Sequence, residues 1–396
     1  MSNNEKTFAE QQAELENDLL NAEELPTANI MVAGKTGTGK STLLNAVFGE
    51  DLATTGTGRP VTDHIDEYQQ ADIPIHIWDT VGLELDSQKT KDSIADIKKT
   101  IANKSSSGDK FDRMHAIWYC IASDGNRYEG AELEFIKELH SIGVPFIIVL
   151  TKCFGAKSKI TEFENVIREV NESMGMGDIE IVRVLAQDFL FEIDEDTVIP
   201  KKAFGLEELV NVTLEKLPDF IKSGFVAAQR VSKAEKRALC EDVIFEYVDT
   251  AQKGFWDKVP IINIFTTDST IKKMFKRIGK LYNTDIPDEA IKKLNDELGG
   301  IDIENGFWGL ISPVSIKYDQ KVDDLFDKKN KEGYKEDYKK LPKNQRVARF
   351  LAFYGYTFLD SIEQLWSELT EEQLRDIDMV VRNLSGIIKE KLKSRK

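Results

Sequence analysis

Residues 29–42 read Asn29-Ile-Met-Val-Ala-Gly34-Lys35-Thr36-Gly37-Thr38-Gly39-Lys40-Ser41-Thr42. Ile30 to Ala33 is an apolar run of strand length, Gly34, Gly37 and Gly39 make the following segment a loop, and Leu43, Leu44, Ala46 and Val47 then recur at helical spacing. A strand, G-x-x-x-x-G-K-S and a helix, in that order, form a phosphate-binding loop. Its glycines carry no Cβ, so the backbone can curl and aim N–H groups inward at an anion. The helix that follows adds the partial positive charge of its N-terminus. In such a loop Lys40 lies against the β- and γ-phosphates and the Ser41 hydroxyl holds Mg²⁺. The stretch predicts a nucleoside triphosphate site built from Gly34 to Thr42.

The rest of the chain surrounds that loop with alternating strands and helices. Gly49 to Asp63 is rich in Thr and Gly and reads as a flexible loop. His64–Gln70 and Ile73–Trp78 read as two strands joined by Ala71-Asp72, a connection short enough to make them antiparallel. The second ends in Trp78-Asp79-Thr80-Val81-Gly82. An Asp at a strand tip can reach the Mg²⁺ shell, and a glycine three residues on lets a backbone N–H meet the γ-phosphate. Helices are expected near 87–103, 132–139, 160–170 and 205–221, and further strands at 115–122, 144–150 and 179–185. The continuously apolar strands are those of a sheet covered on both faces. The fold class is therefore α/β, a doubly wound, mostly parallel sheet.

From Val226 onward helical periodicity takes over. Val231 to Val248 and Ile271 to Leu281 mark two helices, the second with Asp268 or Ser269 as its N-cap. A last helix is expected to start at the capping box Thr370-Glu-Glu-Gln373. The expected domains are an N-terminal helix (1–26) closed by Pro26, an α/β unit (27–222) and an all-α C-terminal domain (226–396).

Composition restricts the function classes. With 41% hydrophobic and 31% charged residues the chain is of ordinary globular type, long enough for more than one core. A formal net charge of −16 opposes broad nucleic-acid binding, which needs a basic footprint. The three cysteines, Cys120, Cys153 and Cys240, read as buried thiols of a reducing compartment, and the four histidines lack metal-ligand spacing. No stretch approaches the ~18 apolar residues of a membrane-spanning helix, and the N-terminus lacks a signal-peptide pattern. Cytoplasmic is the expected location.

On these motifs, residues from about Thr27 to Asp219 resemble the GTP-binding domain of translation-factor-related GTPases. The wording of Gly34 to Ser41 and of Gly58-Arg-Pro-Val-Thr62 is similar to Era-like, 50S ribosome-binding-type GTPases, and to the immunity-related and immunity-associated GTPases of animals. The remainder from Ala227-Ala-Gln-Arg230 resembles helical domains fused to bacterial GTPases of this kind. The resemblance implies GTP or GDP as ligand, Mg²⁺ as cofactor and hydrolysis of GTP. It makes Lys40, Thr62 and Gly82 the catalytic set and Ser41, Thr62 and Asp79 the metal set. Thr57, Thr55 and Thr54 are rivals to Thr62, which is favoured by its place just before the second strand. Thr151 and Lys152 fall at the base-reading motif, and Ala186 falls where a backbone N–H meets the guanine oxygen. It further implies a nucleotide-dependent switch read out by the helical domain, through a protein effector or a homodimer.

Three positions depart from the pattern. Phe154 stands where the family has the Asp that accepts from guanine, with Asp188 as an alternative acid. Leu83 stands where Ras-like relatives place a water-orienting Gln, which implies slow turnover; Glu84 and Asp86 are nearby acids. Gly37 replaces the Asn of potassium-stimulated relatives. A degenerate nucleotide-binding scaffold is the competing reading.

Overall fold

The computed structural model describes residues 25–49, 59–62, 65–69, 73–80, 87–106, 108–125, 128, 130–194, 197–252, 270–284, 286–288, 291, 343–370, 373–374 and 376–393. They divide into two compact units, one of Pro26–Lys233 and the other of Leu25 with the described residues from Ala234 onward.

In the first unit the strands are β1 (Ala28–Gly34), β2 (Arg59–Thr62), β3 (Ile65–Gln69), β4 (Ile75–Thr80), β5 (Ala116–Ala122), β6 (Phe146–Thr151) and β7 (Glu180–Arg183). They form one seven-stranded sheet in the order β2-β3-β4-β1-β5-β6-β7. Strands β4, β1, β5, β6 and β7 run parallel, and β2 and β3 are antiparallel to their neighbours. The central strands β1 and β6 are buried at every residue, as strands covered on both faces must be.

Helices α1 (Lys40–Phe48), α2 (Ser87–Ser106), α3 (Ala131–His140), α4 (Lys157–Ser173), α5 (Leu206–Lys216) and α6 (Asp219–Ala228) complete the unit. The period of two along the strands sorts their side chains between two cores. Met31, Ala33, Ile117, Tyr119 and Ile121 join Ile97 and Ile101 of α2, Phe135 and Leu139 of α3, and Phe163 and Ile167 of α4. On the opposite face Trp118 stacks on Phe48 of α1 at 5.8 Å and meets Phe225 of α6 edge-on, while its indole N–H donates to Thr213 Oγ1 of α5 at 3.1 Å. This is a doubly wound, mostly parallel sheet, the architecture of a P-loop GTPase domain.

Four local readings change. The helix expected over 205–221 is two helices, α5 and α6, separated at Leu217-Pro218, where proline's fixed ring ends the first and begins the second. Helix α6 runs across the expected boundary at 222–226. Arg59–Thr62, expected within a flexible loop, is edge strand β2. Residues 189–201, given no element by sequence, form a hairpin of β8 (Phe189–Asp194) and β9 (Thr197–Lys201).

The described residues from Ala234 onward contain no strand. The helices here are α7 (Lys233–Gln252), α8 (Thr270–Leu281), α9 (Lys343–Glu368) and α10 (Ile377–Lys393), and Phe275 of α8 stacks on Phe358 of α9 at 4.1 Å. Arg237 of α7 reaches Asp360 at 3.0 Å and also pairs with Glu363, both on α9. The Thr370–Gln373 box does form, with Thr370 N–H donating to Gln373 Oε1 at 2.9 Å and Gln373 N–H to Thr370 Oγ1 at 3.3 Å. It does not start the last helix. That helix begins at Ile377, where Asp376 Oδ1 accepts the Met379 N–H at 3.1 Å. Residues 1–24, 268 and 269, which carry the expected N-terminal helix and N-cap, lie outside the described residues.

Candidate functional site

The sheet brings the C-terminal ends of β1, β4, β5 and β6 to one edge, because β1 lies between β4 and β5 with Val32 opposite both Asp79 and Trp118. Gly34 ends β1 at φ 141°, and a Cβ there would sit 2.4 Å from the carbonyl oxygen of Cys120. Only glycine lets the chain turn out of the sheet so close to β5. Gly37 (φ 77°) and Gly39 (φ 89°) complete the curl, and Thr38 Oγ1 donates inward to Lys35 O at 2.9 Å. Gly39 is the N-cap of α1 and has no side chain to cap it. The N–H groups of that first turn therefore face outward as an anion site. Thr36, Gly37, Ser41 and Thr42 are exposed around it, while Lys40 is buried. Lys40 Nζ donates to Gly34 O at 3.1 Å and to Lys35 O at 3.4 Å, which holds the ammonium at the mouth of the loop.

Asp79 lies on the neighbouring strand, with Asp66 of β3 opposite it in the register. Its Oδ1 is buried without a hydrogen-bond partner among the described residues, as is Oγ1 of Thr80. Burial pushes the Asp79 carboxyl up to about 6; the Lys40 ammonium opposes that shift and Asp66 adds to it. A buried carboxylate oxygen left without a donor is costly unless a cation meets it. No cluster of three or more His, Cys, Asp or Glu exists among the described residues. One carboxylate beside a phosphate-binding loop is a poor cage for zinc or calcium. It suits Mg²⁺, which keeps several waters and takes its other ligands from phosphate.

The segments expected to meet a base are built differently. Thr151, at the end of β6, donates its hydroxyl to Thr38 O at 2.5 Å and to Ile121 O at 3.2 Å. The side chain expected to read a base is thus a brace between this loop and the phosphate loop. Lys152 follows in the left-handed conformation (φ 55°), and Ser123 Oγ donates to its carbonyl at 2.8 Å. Cys153 turns inward with its thiol on Leu150 O, and Phe154 stacks on Phe189 of the hairpin, centroids 4.6 Å apart. Ala186 is half-buried, one residue after the Leu185–Phe204 bridge.

Residues 29–152 match the 50S ribosome-binding GTPase family. The matched span runs from β1 to the loop after β6. The chain is also similar to the tRNA modification GTPase MnmE of Blochmanniella pennsylvanica (strain BPEN). The two are 25% identical over 267 residues, 67% of this chain and 52% of that protein, so the chain spans about half the length of that relative. Among solved structures it is similar to a probable GTP-binding protein engB (18% identity, 48% of this chain and 97% of that one, TM-score 0.33). Another is translation elongation factor SelB of Methanococcus maripaludis (14% identity, 49% and 35%, TM-score 0.30).

Of the residues singled out by sequence, Gly34 to Thr42, Asp79, Thr151, Lys152 and Ala186 gather at this edge. Thr62 is described by its backbone. It pairs with Ile65, which pairs with Thr80, so it lies on the same edge two strands from β4, roughly 10 Å away by strand spacing. Gly82, Leu83, Glu84, Asp86, Thr54, Thr55 and Thr57 lie outside the described residues.

Two features escaped the sequence reading. Glu132, in the first turn of α3, is fully buried, with Oε2 2.5 Å from Lys35 Nζ and Oε1 3.3 Å from the Tyr119 hydroxyl. This pair draws Lys35 toward α3, while Lys40 stays at the loop mouth. The other is Phe189, whose alternating strand Phe189-Leu-Phe-Glu-Ile-Asp194 was the available signal.

Proposed function

We propose that the chain binds GTP and GDP with Mg²⁺ and hydrolyses GTP to GDP and phosphate. The observation that carries this reading is the unpartnered, buried Asp79 oxygen beside Lys40, next to an uncapped helix start and a glycine loop. The family match of residues 29–152 supports guanosine as the nucleoside.

In this mechanism the N–H groups of Lys35 to Thr42 and the α1 N-terminus cradle the phosphates. Lys40 leaves the Gly34 and Lys35 carbonyls for the β- and γ-phosphate oxygens, where it stabilises charge as the γ-phosphoryl group departs. Ser41 and Asp79, with Thr62, would hold Mg²⁺, which supplies neutralisation of phosphate charge. The Gly82 N–H would face the γ-phosphate. Leu83 cannot orient water by hydrogen bonding, so the attacking water is placed by backbone or by a partner molecule, and turnover is slow. Nucleotide-dependent ordering of the loops around Thr62 and Gly82 would make the protein a switch, read out by the helical domain to a protein effector or a second copy. Kinship with Era-like and immunity-related GTPases and a cytoplasmic location belong to the same reading. No helix among the described residues is long and apolar enough to cross a membrane.

The test is phosphate release from GTP under single-turnover conditions, with Mg²⁺ and with EDTA, for the full chain and for Lys40→Ala. Release that needs Mg²⁺ and is abolished by the substitution supports the proposal. Binding without release would leave a nucleotide-dependent scaffold. Loss of release per molecule on dilution would identify the partner as a second copy.

A further inference from the structure

The resemblance places Thr151 and Lys152 at the base-reading motif, with Phe154 at its Asp position, and Ala186 at the guanine oxygen; across Thr151–Gly155 and Val184–Asp188, Asp188 is the single carboxylate. Its two oxygens are already engaged, Oδ2 by Lys202 Nζ at 2.6 Å and Oδ1 by the Ala203 N–H at 2.9 Å. The turn at Lys152 (φ 55°), closed by Phe154 N–H on Lys152 O at 2.7 Å, presents an aromatic ring in place of an acid. That ring lies nearly parallel to Phe189, at 18°. Lys201 Nζ donates to Gly155 O at 3.0 Å, so the hairpin is fastened to the loop by its second strand as well as its first. Loop and hairpin therefore form one apolar wall, held from both sides.

We propose that the Phe154–Phe189 stack is the specificity-determining wall of the base site, and that the site distinguishes purines at ring position 6 but not at position 2. This rests on the nucleotide reading above and refines its substrate class to 6-oxopurine nucleoside triphosphates. The chemistry is direct. Guanine offers a ring N–H and a 2-amino group as donors, and an aromatic ring has no in-plane lone pair to accept them. The 2-amino group therefore gains nothing over the hydrogen of hypoxanthine, and the 2-oxygen of xanthine meets no repelling carboxylate. The Ala186 N–H, the donor assigned to the 6-oxygen, would still oppose the 6-amino group of adenine. A site that lacks a hydrogen-bonding partner for a group discriminates weakly on that group.

The test is calorimetric titration of the full chain with Mg²⁺ and GTP, ITP, XTP or ATP, repeated for Phe154→Asp and Phe189→Ala. Affinities of the wild-type chain for GTP, ITP and XTP within about tenfold of one another, with ATP weaker, are expected. Phe154→Asp should then raise the preference for GTP over XTP by at least about tenfold, because the new carboxylate accepts from guanine and repels the xanthine oxygen. A wild-type preference for GTP over XTP above about tenfold overturns the inference and leaves the nucleotide reading standing. Since that comparison needs no substitution, it decides the matter even if Phe154→Asp fails to fold. Absence of Mg²⁺-dependent binding for all four nucleotides overturns both.

Discussion

Around β1 and β4 the sheet edge leaves polar atoms without partners among the described residues, including Asp79 Oδ1, Thr80 Oγ1 and the uncapped first turn of α1. Around β6 and β7, on the same edge, three polar side chains are paired internally. The Thr151 hydroxyl is on Thr38 O, the Ser123 hydroxyl on Lys152 O, and the Asp188 carboxylate on Lys202 and Ala203. The first region pays for its unmet groups in stability, and the proposed nucleotide and Mg²⁺ would recover that cost. In the second, these side chains hold one loop to the next as a frame. Affinity is therefore expected to come from the phosphates, with the base contributing contact more than recognition.

The largest expected effect breaks or keeps the phosphate half of this contrast. Lys40→Ala should slow single-turnover GTP hydrolysis by about 10²–10³-fold, the loss typical of a removed oxyanion partner. A loss below tenfold would mean that the loop N–H groups carry the site unaided.

Next is Asp79. Its folded pKa, about 6, lies above the ordinary 3.8, so the fold favours the protonated form. The stability this lends is complete below the ordinary value and is lost as pH rises through about 6. Nucleotide-free Asp79→Asn should thus be more stable than wild type by on the order of 2–3 kcal/mol at pH 7.5, with the gain vanishing near pH 4. With Mg²⁺ and GTP present, the order should reverse. Urea melts across this range, with and without ligand, measure both halves, and a pH-independent difference would remove the strain assigned to this carboxylate.

Lys35→Ala strips buried Glu132 of its ammonium while the Tyr119 hydroxyl remains. The expected cost is about 2 kcal/mol, less than for a fully buried pair because Lys35 is 29% exposed. Adding Glu132→Gln should recover most of it, as read by thermal melts of both variants.

The smallest effect joins the two regions. Thr151→Val removes the donor to Thr38 O and should cost about 1 kcal/mol. Faster hydrogen exchange confined to residues 151–155 would mark the hydroxyl as the brace, and unchanged exchange would reject that role.

The phosphate half was legible because its information is local. Three glycines, a lysine and a serine within eight residues, flanked by a strand and a helix, specify their own geometry through φ values and missing side chains. Asp79 was legible as the tip of an alternating strand. The base half was only partly legible. Thr151 and Lys152 were located, but the brace to Thr38 joins residues 113 apart. The packing of Phe154 depended on strand β8, to which the sequence pattern assigned no element. Edge strand β2 was missed for a related reason. Arg59-Pro-Val-Thr62 is short and carries a proline, and such a segment becomes a strand only when β3 offers it a partner.

By itself the sequence determined a phosphate-binding loop, a covered parallel sheet and a helical remainder, because backbone freedom and hydrophobic period act over neighbouring residues. Only the tertiary structure decided which polar groups at that edge have partners. Lys35 finds Glu132 across 97 positions, Phe154 finds Phe189 across helix α4 and strand β7, and Asp79 Oδ1 finds none among the described residues. Whether a buried group is satisfied depends on which distant segment folds against it, and no spacing along the chain records that.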